Sequence, residues 1–163
     1  MNKLKSMITS SGFFALKQAT VSLSHFNKGL QEELNAWEDG YTIQLKVLPN
    51  GPAIAFEKVD GKLQTISPNK NHYSLVVVFK TEEIAYRIIT TQNSVPQAFT
   101  QNRLMVYGST ADSMILIRIL NIVQAYLFPP ILSKRILKRV PKFNLSQHIG
   151  RVRVYSLGLI TGY

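Results

Sequence analysis

From Ala111 to Phe128 the chain reads ADSMILIRILNIVQAYLF, and no other run limits the possible folds so strongly. Wound as a helix, Met114, Ile115, Leu116, Ile117, Ile119, Leu120, Ile122, Val123, Tyr126 and Leu127 leave only a narrow polar stripe. Such a helix must meet protein or lipid on most sides, since each aliphatic side chain left in water forfeits about 1.5–3 kcal/mol of burial. A membrane would be one cover. Yet the apolar window from Met114 to Leu132 contains Arg118, Asn121, Gln124 and Pro129-Pro130, all poorly placed in hydrocarbon. The expectation is an internal helix packed on a second layer of the same protein.

The remaining sequence supplies that layer. With 163 residues, 45% of them hydrophobic, the chain suffices for one core and is short for two, so a single soluble globular domain is expected. The start, MNKLKSMITSSGFFALKQA, reads as helix. Its apolar run is short, broken by serine and stopped at Lys17, unlike a secretory signal, so a cytoplasmic location is expected. In HFNKGLQEELNAW, Phe26, Leu30, Leu34 and Trp37 share one face of an amphipathic helix.

After Gly40 the period drops to two. Tyr41, Ile43, Leu45 and Val47 alternate with Thr42, Gln44 and Lys46, as a half-buried strand requires. Asn50-Gly51 and Asp60-Gly61 offer left-handed dihedrals for two tight turns, so three strands should run as an antiparallel meander. HYSLVVVFK is apolar on both faces and suits an interior strand. Thr81 caps the next helix, with Glu82 and Glu83 at the positive end of its dipole. Ser94 with Gln97 and Ser109 with Asp112 form capping-box patterns, and RLMVY between them is a strand entered from Asn102 and left through Gly108.

LVVVFKTEEIAYRII, VPQAF, NRLMVYG and STADSMILIRIL, in that order and spacing, resemble the central segment of a sterol carrier protein 2 domain. That family runs from an aliphatic strand to a short helix, a PQKAF-like helix start, a GKLKIKG-like strand and a helix opening with small and methionine residues. The specific likeness covers Ser74 to Leu127, and the order of elements extends it back to Phe26. Asn102 stands where the family usually has glycine, TTQNS replaces a glycine-lysine turn, and the LITGY end is not a peroxisomal tail.

The resemblance implies an α+β fold: a five-stranded, mainly antiparallel sheet covered on one face by helices, with an apolar tunnel between them that accepts a lipid. It assigns residues 1–128 to the domain (N-terminal helix 1–38, core 39–128) and leaves 129–163 as a basic extension. The expected tunnel lining is Ile84, Ile88, Phe99, Leu104, Val106, Met114, Ile117, Leu120 and Tyr126, with Val76 and Val78 as its floor. Read without the family, the same residues simply fill a core.

Net charge is +10, and the last acidic residue is Asp112; Arg118 and the basic residues beyond it have no acid after them to balance them. PPILSKRILKRVPKF sets Leu132, Ile136 and Val140 on one helical face, with Lys134, Arg135, Lys138, Arg139 and Lys142 as cations for an anionic membrane surface. That would make the protein peripheral on the inner face of the membrane. Packing of this segment on the domain is the plainer alternative. Nucleic acid is not expected, because aromatic side chains do not interleave with the basic ones.

No nucleophile elbow, phosphate loop or dinucleotide fingerprint occurs, there is no cysteine, and His25, His72 and His148 are isolated. No catalytic residue, metal ligand or cofactor is assigned. The expectation is a non-enzymatic protein that binds, and transfers, an acyl, sterol-like or isoprenoid lipid. Its alternatives are an accessory factor presenting a prenylated intermediate to biosynthetic enzyme partners in quinone or lipid synthesis, and a structural or dimerising module with a filled core.

Overall fold

The computed structural model of the protein describes residues 3–127. The basic segment with Lys134, Arg135, Lys138, Arg139 and Lys142 lies outside the described residues, as does Phe128.

In place of the single helix expected over 1–38, the described residues form two, α1 (Lys3–Phe26) and α2 (Lys28–Leu34). The break is at Asn27, whose extended backbone lets its side-chain oxygen accept the Leu30 N–H at 2.9 Å. Capping one of the free N–H groups of α2 in this way contributes about 1 kcal/mol. The expected helix from Phe26 to Trp37 is thereby shortened at both ends: Phe26 closes α1, and Trp37 lies in the turn beyond α2.

Strands β1 (Thr42–Val47), β2 (Ala53–Val59) and β3 (Lys62–Ile66) form the expected antiparallel meander. Asp60 and Gly61, with φ of 49° and 73°, make the left-handed hairpin turn that their sequence announces. Asn50-Gly51 does not. Neither residue has a positive φ; Leu48-Pro49 is cis, and the turn closes through Gly51 N–H to the Val47 carbonyl at 3.0 Å. Glycine is needed at 51 for space, because a Cβ there would stand 2.7 Å from Val47 Cβ.

β4 (Leu75–Phe79) is interior, parallel to β1 and antiparallel to β5 (Leu104–Tyr107). The sheet order is β3-β2-β1-β4-β5, mainly antiparallel with one parallel pair. Between β4 and β5 lie α3 (Glu82–Ile89) and α4 (Val95–Thr100), and α5 (Thr110–Leu127) follows β5. Among the described residues the architecture is α+β with five strands in one sheet.

Side-chain parity puts Ile43, Leu45, Ile54, Phe56, Leu63, Leu75, Val77, Phe79 and Leu104, all buried, on one inner face of the sheet. Helices cover it. Phe13 of α1 meets Phe79 edge-to-face with ring centroids 5.4 Å apart. Lys58 also belongs to this face by parity, and its ammonium donates to the Trp37 carbonyl at 2.5 Å, with the Asp39 carboxylate 3.8 Å away. Arg118, expected to lack an acidic partner, has its guanidinium Nε donating to both Glu33 oxygens at 2.8 and 2.9 Å, which ties α5 to α2.

α1 and α3 approach most closely at Gly12, where a Cβ would collide with Ile89 Cγ2. On a free helix, Gly12→Ala would stabilise by about 1 kcal/mol. Here overpacking, which costs about 1–3 kcal/mol, decides the sign. Gly12→Ala is expected to lower stability in urea titration, and Ile89→Ala in the same chain to recover part of the loss. A Gly12→Ala protein as stable as the parent would contradict this contact.

Candidate functional site

A largely apolar seam runs between α4, α5 and the β4–β5 ladder. Val77 and Phe79 of β4 and Leu104 and Val106 of β5 form its floor; Val95 and Phe99 of α4 form one wall, and Leu116, Ile117 and Leu120 of α5 the other. Ser113, the one polar side chain along it, turns its hydroxyl back to the Thr110 carbonyl at 2.6 Å. The seam is therefore apolar in effect as well as in composition.

Local sequence explains how α4 is held. Ser94 accepts the Gln97 N–H at its start. At its end Asn102 takes φ 54°, while Asn102 N–H reaches the Phe99 carbonyl and Arg103 N–H the Ala98 carbonyl, both at 3.0 Å. This paired closure normally uses glycine; asparagine is the residue that best replaces it. The same closure ends α3, with Thr91 N–H to Ile88 at 3.1 Å and Gln92 N–H to Arg87 at 2.7 Å, but the left-handed residue is Thr91, at φ 64°. A β-branched side chain is disfavoured there. Both loops that carry α4 thus contain a left-handed residue.

The space left inside the seam is about 10 Å³, on the order of one water-sized probe and far below an acyl chain. No open tunnel passes between the described elements at this place. The side chains on the two walls have closed on one another.

Of the expected lining residues, Phe99, Leu104, Val106, Ile117 and Leu120 are brought together here. Val76 and Val78 are not the floor: in β4 they point to the opposite face, and Val77 and Phe79, one residue out of phase with them, face the helices. Met114 is 44% exposed on the outer side of α5. Ile84 and Ile88 pack into the core from α3, and buried Tyr126 accepts a hydrogen bond from the Asn27 amide at 2.9 Å; none of the three borders the seam. Val95 and Leu116 do border it without having been singled out; both are aliphatic residues in helical phase with Phe99 and Leu120.

Further along the same row of α5, Gln124 is 7% exposed. Its Oε1, and Asn121 Oδ1 one turn before, are buried without a hydrogen-bond partner. At the other end of α5, Ser109 caps Asp112 N–H at 3.4 Å, but Asp112 does not return the bond as a capping box would. Its two carboxylate oxygens accept Trp37 Nε1–H and the Tyr41 hydroxyl, each at 2.9 Å. The Trp37 and Tyr41 rings stack with centroids 4.9 Å apart. On α3, Glu83 is held below the usual carboxylate range by its hydrogen bond from Lys5, and then by Arg87; together with the bond from Ser6 to Glu82 this is a structural clamp to α1.

No family model matches the chain, and no curated protein matches it. Solved structures do. The UbiJ-SCP2 ubiquinone synthesis protein is similar at 11% identity and a TM-score of 0.47, over 74% of this chain and 98% of that one. Apo sterol carrier protein 2 of Yarrowia lipolytica gives 16% identity and a TM-score of 0.47, over 72% and 93%. Sterol carrier protein domain 2 of Helicoverpa armigera gives 15% and 0.46, over 76% and 89%. The likeness is one of fold. Among the described residues, no helix is long and apolar enough to cross a membrane.

Two measurements check this description. Thr91→Gly removes the left-handed penalty of a β-branched residue and should stabilise by about 1 kcal/mol in urea titration; a destabilised variant would mean that Thr91 makes a contact worth more than its strain. Tyr41 is raised well above the ordinary tyrosine range, by burial first and then by the hydrogen bond and charge of Asp112. The unfolded tyrosine ionises near pH 10 while the folded one keeps its proton, so its contribution is complete below about pH 10 and is lost as pH rises further. Above that pH, the stability gap between the parent and Tyr41→Phe should narrow. A gap that stays constant to the alkaline limit of folding would refute the assignment.

Proposed function

We propose that the protein is a non-enzymatic binder of an apolar lipid chain, which enters the seam by parting α4 from α5. The observation that carries this reading is the seam itself: apolar on floor and both walls, one wall being a six-residue helix flanked by left-handed Thr91 and Asn102. Each lipid methylene buried there contributes about 0.8 kcal/mol, so ten of them yield about 8 kcal/mol against the packing lost when α4 moves. The wording of residues 74–127, which resembles a sterol carrier protein 2 domain, supports the same reading. Exchange at an anionic membrane surface through Lys134, Arg135, Lys138, Arg139 and Lys142 completes the proposal; its support is the absence of any acidic residue after Asp112.

One observation favours a second reading. With about 10 Å³ of free space, the seam is also what a structural module with a self-filled core would have. Native mass spectrometry of the freshly purified chain separates the two, combined with titration of fluorescent acyl and prenyl probes. Lipid binding predicts co-purified lipid or saturable probe uptake. It also predicts that Leu116→Trp, which fills the seam, weakens uptake about tenfold or more, the equivalent of about 1.4 kcal/mol. No lipid and no uptake would leave the structural module standing.

A further inference from the structure

The outer face of the sheet, away from the helices, carries a cleft of about 540 Å³ that the seam does not explain. It lies over β1, β4 and β5 and is walled by residues 70–74. Its volume falls within the range of small-molecule sites, about 300–1,000 Å³. Its chemistry is the reverse of the seam's: Lys46, Lys70 and His72 line it, together with polar Gln44, Asn71 and Ser74, and no acidic side chain does. Two lysines lining one concavity, with no carboxylate among its described lining residues, favour anions there.

The wall is built rather than loose. Gln44, 8% exposed, donates its amide to the Pro68 carbonyl at 2.6 Å. The Tyr73 hydroxyl donates to the Ser67 carbonyl at 2.8 Å and accepts the Lys70 N–H at 3.0 Å. Ser74 and Thr42 exchange backbone-to-hydroxyl bonds at 3.0 and 3.2 Å, which fixes the segment to β1. The backbone that carries the lining side chains is thus fixed before a ligand arrives.

The two lysines are available. Lys46 has no acidic partner among the described residues. Among the described residues Lys70 pairs with Glu57, at 3.2 Å and with its side chain 47% exposed, an ion pair of the kind that contributes little and exchanges readily. Beside them the Tyr107 ring stands 58% exposed at the end of β5, next to Gly108, which has no side chain to close the cleft. An open aromatic face next to paired cations suits a ligand that joins an anionic group to a planar or aliphatic body.

We propose that this cleft binds a phosphomonoester, with Lys46, Lys70 and His72 meeting the phosphate and Tyr107 meeting the group that carries it. A soluble phosphorylated metabolite and the headgroup of a phosphatidic acid share that chemistry. The site is independent of the seam, and its ligand does not enter the apolar layer.

The test is amide chemical-shift mapping of the full-length protein titrated with phenyl phosphate and, separately, with micelle-free dihexanoyl phosphatidic acid. The expected result is saturable shifts at residues 44–46, 70–74 and 107–108, with a Kd of about 1 mM or tighter. Combined Lys46→Ala and Lys70→Ala substitution should weaken binding about tenfold or more, since both charge-assisted bonds to the phosphate are lost. Lys70 is exposed and Lys46 half-buried, and Lys46→Gln with Lys70→Gln repeats the test with similar volume. Lys134→Ala with Arg135→Ala should leave the cleft shifts unchanged. Tighter binding of the phosphatidic acid assigns the lipid headgroup as the source, and equal or weaker binding a soluble phosphomonoester. Shifts confined to other residues, or shifts indifferent to both double substitutions at Lys46 and Lys70, overturn the proposal.

Discussion

Covering α5 is the constraint on which the rest of this structure depends. Ile115, Leu116, Ile117, Ile119, Leu120, Val123 and Tyr126 are all buried, and no single layer could reach that much of a helix's circumference. The sheet covers one side, through β4. α1 and α2 cover a second, helped by the Arg118–Glu33 pair and the Asn27–Tyr126 bond, and α4 a third. Asp112 then fastens the start of the helix to the Trp37–Tyr41 stack. Remote parts of the chain are thus held in register by one helix that water cannot cover.

Those same covers give the two faces of the sheet different work. On the inner face, aliphatics from β4, β5, α4 and α5 close over an apolar seam whose only hydroxyl, Ser113, is bonded back to its own helix. On the outer face, lysines and a histidine gather around a polar cleft fixed by Gln44, Tyr73 and Ser74. Strand alternation produces both: along β1, Leu45 turns to the helices while Gln44 and Lys46 turn to the cleft. A chain with a two-sided sheet and helices on one side can therefore carry an oily site and a charged site within the thickness of a single strand layer.

Much of the architecture was legible from local pattern. The period-two run from Tyr41, the Asp60-Gly61 turn, the Thr81 and Ser94 caps, and the left-handed Asn102 and Gly108 around β5 each rest on neighbours within four residues, and each stands where expected. Local reading failed where a distant group competed. Asn27 left the expected helix because its side chain could cap Leu30 while also bonding Tyr126, and Asp112 abandoned its capping box for Trp37 and Tyr41. Gly51 was read for its dihedral freedom, but the chain uses its lack of a side chain against Val47.

The candidate site shows the boundary most sharply. Sequence alone determined that the long helix must be buried, that a strand of LVVVF must lie inside a sheet, and that α4 begins at Ser94, because hydrophobic period and capping chemistry act over one or two turns. It could not say which residues of LVVVF face the helices: with every position apolar, alternation carries no phase. The parallel pairing of Leu45 with Val77 and Val47 with Phe79 supplied it, turning Val76 and Val78 outward. Only tertiary packing, likewise, decided that the walls of the seam meet, since the room between a helix and a sheet depends on how side chains from four separate elements interlock.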